Sequence, residues 1–315
     1  MNILSLFDGM SCGQIALEKA GLIVNKYFSS EIDKNAIKIT QKNYPNTIQL
    51  GDVKTIDLNN LPKKIDLLIG GSPCQGFSIA GKKLNFNDKR SSLFFEYVRI
   101  LNTVKPKYFL FENVKMPANI ADAIDSELGV KRVFINSRNF TGHIRKRFYW
   151  TNIPIKEIPK KDYKIKDIID KSVEYDKNMN FLLDRTLYKP SMSSDGIITI
   201  NPRDKKGKQT WQRGRVYDIS GNCPTICASL FDLNISEDHK KYRKLTLNEC
   251  EKLQGVPKDY TQGVSKVERG KMLGNGWTVD VISHIFSGIN LSKEKEVFNP
   301  IVIDKIDNNF DQIFV

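Results

Sequence analysis

Along residues 1–154, short apolar runs alternate with amphipathic stretches, and each of the first five runs ends in a polar or glycine-bearing cluster. Residues 2–7, 26–30, 48–50, 65–70, 108–112 and 132–135 have the length and composition of buried strands. Between them, residues 13–20, 34–42 and 91–103 carry apolar side chains at helical spacing. The alternation predicts an α/β fold built on a doubly wound, Rossmann-like sheet. Ligands of such sheets sit beyond the carboxyl ends of the strands. Asp8-Gly9, Glu31, Asp52, Ser72-Pro73-Cys74 and Glu112-Asn113 lie at the ends of runs one to five, so the chemistry is expected along that edge.

From about residue 155 to 241 helical periodicity fades and Lys, Pro, Gly and Ser turn signals multiply. A smaller, irregular second domain is expected over residues 155–254, with residues 1–154 and about 255–290 forming the larger, sheet-bearing part. Thr246 followed by Glu249 has the capping-box pattern and opens a predicted helix over 245–253. The apolar run 277–286 reads as a helix packing back on the sheet, and residues 291–315 stay unassigned. No apolar run approaches the roughly 20 residues that cross a bilayer. The opening residues lack the basic stretch of a secretory signal, and five cysteines cannot all pair. A reducing, cytoplasmic setting and a monomer without membrane contact are expected.

The net charge of +13 is concentrated. Residues 82–90 carry net +3, residues 129–150 net +6 with no acid, and residues 203–215 net +5. Positive charge held in three short segments fits a polyanion-binding footprint better than a solubilising coat.

The loop from Phe7 through Asp8, Gly9, Ser11 and Cys12 to Gly13 ends a strand and opens a helix, where glycines let a ligand approach the backbone. It lacks the phosphate-binding pattern and its lysine, so a nucleotide phosphate is not indicated. Glu31 is placed to bind ribose hydroxyls and Asp52 an adenine amino group. An adenosine without phosphates fits S-adenosylmethionine. In GGSPCQGFS (70–78), Pro73 restricts Ser72 to extended geometry, and Cys74 sits among turn-formers rather than core residues. A basic loop follows, and cations favour thiolate over thiol.

These motifs in this order make the chain resemble the cytosine-5 DNA methyltransferases. The resemblance runs from residue 4 to about 286 and rests on Phe7-Asp8-Gly9, Glu31, Gly51-Asp52-Val53, Ser72-Pro73-Cys74-Gln75 and Phe111-Glu112-Asn113-Val114, then Arg145-x-Arg147, Arg243-Lys244-Leu245-Thr246 and Leu273-Gly274-Asn275-Gly276. It implies methyl transfer from S-adenosylmethionine to carbon 5 of a cytosine flipped out of double-stranded DNA, with no metal. Cys74 is then the nucleophile that adds to carbon 6. Glu112 hydrogen-bonds the ring nitrogen and exocyclic amine, Arg147 holds the base carbonyl, and Arg145 a phosphate near Cys74. The base that removes the carbon 5 proton is not identified. Ile32, Val53, Pro73, Asn275 and Trp277 join the cofactor ligands. Loop 76–90 becomes a lid over the flipped base. Ser78, Ala80, Lys82, Lys83, Arg90, Gln212, Arg213, Arg215 and Thr225 become DNA contacts, Gln212 filling the vacated space.

The usual family pattern has glutamine where this chain has His143, which reads as a local hydrogen-bonding residue rather than a catalytic base. The stretch from Val114 to His143 is shorter than in many bacterial members. With Phe148-Tyr149-Trp150 and Gly276-Trp277-Thr278-Val279, it brings the chain nearer the animal de novo enzymes. Trp211 either stacks on a base or packs the small domain. Cys223 and Cys227 lack the second ligand pair of a zinc site. Two alternatives keep the fold: a transfer-RNA methyltransferase, and a DNA-binding regulator without catalysis. The recognition sequence, and whether a restriction endonuclease accompanies the enzyme, are not encoded in readable form.

Overall fold

A computed structural model of the chain describes residues 1–73, 92–179, 190–201 and 210–290. Its first part alternates β1 (Asn2–Leu6), α1 (Cys12–Lys19), β2 (Lys26–Ser30), α2 (Lys34–Asn43), β3 (Ile48–Gln49), β4 (Leu67–Gly70), α3 (Ser92–Val104), β5 (Tyr108–Val114), α4 (Ala118–Leu128), β6 (Val133–Asn136) and β7 (Lys146–Thr151). The seven strands form one sheet in the order β3-β2-β1-β4-β5-β7-β6. The five strands from β3 to β5 run parallel; β7 is antiparallel to both neighbours. Period-2 alternation decides which face each side chain covers. Ile3 and Ile69 join Ile15, Leu17 and Ile39 on one face; Leu4, Leu6, Leu68 and Phe111 join Tyr97, Ile100, Ile124 and Leu128 on the other. Helices therefore cover both faces, as the alternation predicts.

The second sheet is built from β8 (Lys177–Asn178), β9 (Ser191–Met192), β10 (Ile198–Thr199), β11 (Val216–Asp218), β12 (Asn234–Ser236) and β13 (Lys241–Lys244), in the order β8-β13-β12-β11-β10-β9. The chain returns through α5 (Leu247–Leu253), α6 (Lys266–Asn275) and α7 (Val279–Phe286), and α7 packs on α1. The capping box forms: Thr246 Oγ1 accepts the Glu249 amide at 3.2 Å, and Glu249 Oε2 accepts that of Thr246 at 2.7 Å.

Among the described residues, 155–254 share most of their apolar interior with the large sheet. Tyr217, Ile219, Ile226, Leu233 and Ile235 belong to the same apolar cluster as Ile15, Ile69 and Phe286, whereas Met179, Ile200, Val216 and Tyr242 form a separate cluster of four.

Three features depart from the sequence reading. Strand β5 runs on past Glu112 to Val114, because β7 pairs with it beyond the end of β4. Helices α4 and α6 are additional to the predicted ones. The basic stretch 129–150 is largely neutralised internally: Arg132 pairs with Asp122 and Asp125, Lys131 with Asp125, Lys146 with Asp195 and Arg147 with Glu112. These pairs tie part of the stretch to the fold, while the Lys131 side chain stays 89% exposed.

Candidate active site

Register sets the site. Leu6 lies opposite Ser30 and Gly70, and Gly70 opposite Phe111, so the residues that follow these strands emerge side by side. Antiparallel β7 begins at the same edge, with Arg147 opposite Val114.

Beyond β1 the chain turns through Phe7, Gly9 and Ser11, all with φ between 56° and 60°. The Asp8 carboxylate ties this turn down by accepting hydroxyl hydrogen bonds from Ser5 (2.6 Å), Tyr27 (2.7 Å), Ser29 (3.0 Å) and Ser11. Burial pushes the Asp8 carboxyl above its usual range, and the four hydroxyls work against that rise. The side chains of Asp8, Ser11 and Cys12 thus also support the turn that the sequence reading assigns to the cofactor. The Cys12 thiol is raised to about 12 by burial. Gly13 sits where a Cβ would meet Ile69 Cδ1 at 2.5 Å, so its absence lets α1 lie against the sheet. Val53 likewise turns its side chain into the core.

Glu31 is held at the end of β2 by three amides, those of Gly9, Ile32 and Asp33, each at 2.8 Å. Ile32 beside it is 71% exposed, an apolar surface free to stack on a flat heterocycle. Asp52 caps a short turn through Oδ1, which accepts the Lys54 amide at 3.0 Å. Two carboxylates at adjacent strand ends, with an exposed apolar side chain beside one of them, suit a phosphate-free adenosine. Pro73 and Asn275 are exposed near this edge.

Glu112 is 8% exposed and its two oxygens are engaged separately. Oε1 pairs with Arg147 Nε at 2.9 Å, and Oε2 accepts the Trp277 indole N–H at 3.1 Å. Asn113 donates through Nδ2 to the Ser72 carbonyl at 3.2 Å, clamping the segment that leads to Cys74 beside Glu112. That clamp was not read from the sequence; an Asn after a strand-end Glu is its only signal. Cys74 itself lies outside the described residues, as do Ser78, Ala80, Lys82, Lys83, Arg90, the rest of loop 76–90 and the tail 291–315.

Arg145 departs from its expected phosphate contact. It is buried, and its guanidinium donates to the carbonyls of Gly274 (3.1 Å), Gly276 (2.8 Å), Asn275 and Ile226 (both 3.4 Å). Its charge thus stabilises the C-terminal end of α6, where carbonyls lack intrahelical partners. Burial, with Arg147 nearby, lowers Arg145 to about 10, still charged at neutral pH. His143 is fully buried and accepts the Ile226 amide through Nε2 at 2.9 Å, so the proton sits on Nδ1. Burial first, then Arg145 and Arg147, push its pKa well below the ordinary imidazole value. This is the local hydrogen-bonding role expected for it.

On the second sheet, Gln212 and Arg213 are exposed on a single helical turn at 212–214, and Trp211 before it is 88% exposed, which excludes packing of the small domain. Arg213 and Arg215 donate to the Ser229 and Thr210 carbonyls, at 3.1 and 3.0 Å, which fixes the turn. Thr225 differs from expectation: its hydroxyl donates to the Ile144 carbonyl at 2.6 Å, so it secures the chain rather than offering a donor to phosphate.

Comparison with known proteins agrees with this geometry. The model of the C-5 cytosine-specific DNA methylase family matches residues 1–122 and 131–290. The chain is 30% identical over 301 residues to the type II methyltransferase M1.ScrFI of Lactococcus lactis subsp. cremoris, covering 90% of this chain and 76% of that one. It is 29% identical over 322 residues to the type II methyltransferase M.Bsp6I of Bacillus sp. (strain RFL6), covering 92% and 98%. Among solved structures, the S. pombe Dnmt2 methyltransferase shares the fold, with a TM-score of 0.65 at 17% identity over 91% of this chain and 97% of that one. With most of its length matched and a buried Glu–Arg pair at the carboxyl edge of its sheet, the chain belongs to the C-5 cytosine-specific DNA methylase family.

Proposed function

We propose that this DNA cytosine-5 methyltransferase acts on a cytosine turned out of duplex DNA within a short recognition sequence, through a transient bond from Cys74. The observation that carries the reading is the Glu112 carboxylate, fixed from both oxygens at the strand edge where the Ser72-Pro73-Cys74 segment begins. Carbon 5 of cytosine is a weak nucleophile. Addition of the Cys74 thiolate to carbon 6 pushes an electron pair toward carbon 5 and so activates it. S-adenosylmethionine supplies the sulfonium methyl group that carbon 5 receives. Loss of the carbon 5 proton to a base then expels the thiolate and restores the ring double bond. Glu112 meets the amino and ring-nitrogen edge of the base, and Arg147, paired with it, faces the carbonyl oxygen. Glu31, Ile32, Asp52 and the main chain of the turn at Phe7–Gly9 would hold the cofactor.

Stacked duplex denies access to carbon 6, so the base has to leave the helix. Gln212, Arg213 and Trp211 on the second sheet present donors, charge and a stacking surface to the DNA. Residues 155–254 serve as the target-recognition part. The test is transfer of labelled methyl to mixed-sequence duplex DNA by the wild-type chain and by Cys74→Ala. A loss on the order of 10³-fold or more is expected for the variant. Equal transfer by both proteins would overturn the nucleophile, and labelling of RNA with no labelling of DNA would overturn the substrate.

A further inference from the structure

The Trp277 indole lies against the catalytic carboxylate, not only along the cofactor edge. Its N–H donates to Glu112 Oε2 at 3.1 Å while Arg147 takes Oε1 at 2.9 Å, so the carboxylate plane is held by one donor on each side. The backbone around Trp277 is braced in turn. Arg145 binds the carbonyls of Gly274, Asn275 and Gly276. Gln254, fully buried, donates to the Leu273 carbonyl at 2.6 Å and accepts the Thr278 hydroxyl at 2.8 Å. Beneath the pair lies Gly71, where a Cβ would stand 2.9 Å from Glu112 Oε2 and 3.3 Å from Trp277 Nε1. The missing side chain is what lets carboxylate and indole meet.

We propose that Trp277 is a positioning residue for Glu112: its indole N–H fixes the carboxylate orientation that presents a remaining lone pair to the exocyclic amino group of the flipped cytosine. The proposal rests on the reading of Glu112 as the group that meets the base edge. A mis-oriented carboxylate is costly to the transition state, since a misplacement of about 1 Å can slow a reaction on the order of 10²-fold. An interaction realised at the chemical step shows in the rate of that step rather than in ground-state binding.

The experiment compares wild type, Trp277→Phe, which keeps a ring but removes the N–H, and Gly71→Ala, which wedges the pair apart from the other side. Calorimetry with S-adenosylmethionine, anisotropy with substrate duplex and the thermal midpoint report cofactor binding, DNA binding and folding. Single-turnover methyl transfer at saturation reports the chemical step. Trp277→Phe is expected to bind both ligands within about threefold of wild type and to transfer methyl about 10- to 100-fold more slowly, the size of one hydrogen bond to a charged group. Gly71→Ala, whose Cβ would also approach the Glu112 main-chain carbonyl at 3.1 Å, should lose at least a similar factor, and the double variant little more than Gly71→Ala alone, because the indole contact is already broken in it. A saturated Trp277→Phe rate within twofold of wild type overturns the proposal, as does a pattern in which only cofactor affinity falls. Multiplicative losses in the double variant also overturn it. If Trp277→Phe does not fold, the Gly71→Ala rate decides alone: a rate within twofold of wild type overturns it. A wild-type chain that fails to methylate DNA refutes the underlying function instead, so the two failures are distinguishable.

Discussion

His143 occupies the position where the family pattern has glutamine, and its ring is enclosed beside two guanidinium groups. Nε2 accepts an amide, and Nδ1, the protonated nitrogen, has no hydrogen-bond partner among the described residues. A histidine kept neutral by folding has a folded pKa below its unfolded one, so the unfolded chain takes up the proton first as pH falls. Stability from this group is complete above the ordinary value near 6.5 and is lost as pH drops below it toward the folded value. His143→Gln retains an oxygen that can accept the Ile226 amide and cannot titrate. Its melting temperature relative to wild type should rise between pH 8 and pH 5; a constant difference across that range would contradict the account. Side chains such as Glu31, Asp52 and Glu112 were legible in the sequence because an acid that closes a buried strand has no packing reason to be there. Arg145 was not. A charge at a strand edge reads equally as a phosphate ligand or as a helix-end clasp, and only the fold brings the carbonyls of residues 274–276 to it.

Among the elements, α5 joins the two sheets. Arg243 at the end of β13 and Glu249 on α5 form a two-pronged pair at 2.9 and 2.7 Å, both side chains at most 3% exposed, with the Tyr175 ring stacked on the guanidinium. Burial works to raise the Glu249 carboxyl, but Arg243 and the amides of Thr246 and Asp170 outweigh it and bring the pKa below the usual range. That contribution is present above the ordinary carboxyl value and fades as pH falls through the folded one. Glu249→Gln strands a buried guanidinium and should cost about 3–5 kcal/mol in chemical denaturation at neutral pH. Replacing both partners with Met and Leu should cost much less; equal losses would argue against an uncompensated charge as the cause. The capping box was readable from spacing alone, but its glutamate doubling as an ion-pair partner was not. Helix α6 was hidden for a local reason: Gly270 and Gly274 weaken its helical signal, yet they are what let it dock on the ring of Phe231 and the backbone of residues 227–228.

At the scale of the whole molecule, formal charge and available charge differ. The 129–150 stretch spends its cations on Asp122, Asp125, Asp195, Glu112 and helix-end carbonyls, whereas Arg213 is exposed on the second sheet. Arg213→Ala should weaken duplex binding and lower the salt slope by about 1. Arg132→Ala should leave the slope unchanged and instead destabilise the fold by roughly 1–3 kcal/mol, since it strips a partner from the buried Asp125. A reduced slope for Arg132→Ala would return the stretch to the DNA-binding surface. The two-part organisation was visible as a change of texture near residue 155, but composition does not report which apolar side chains of one part face the other. Tyr217, Ile219, Leu233 and Ile235 share an interior with the large sheet, so the two parts are joined through apolar packing as well as through the chain. Cutting the smaller part away would therefore leave the shared interior open to water instead of an intact sheet behind it.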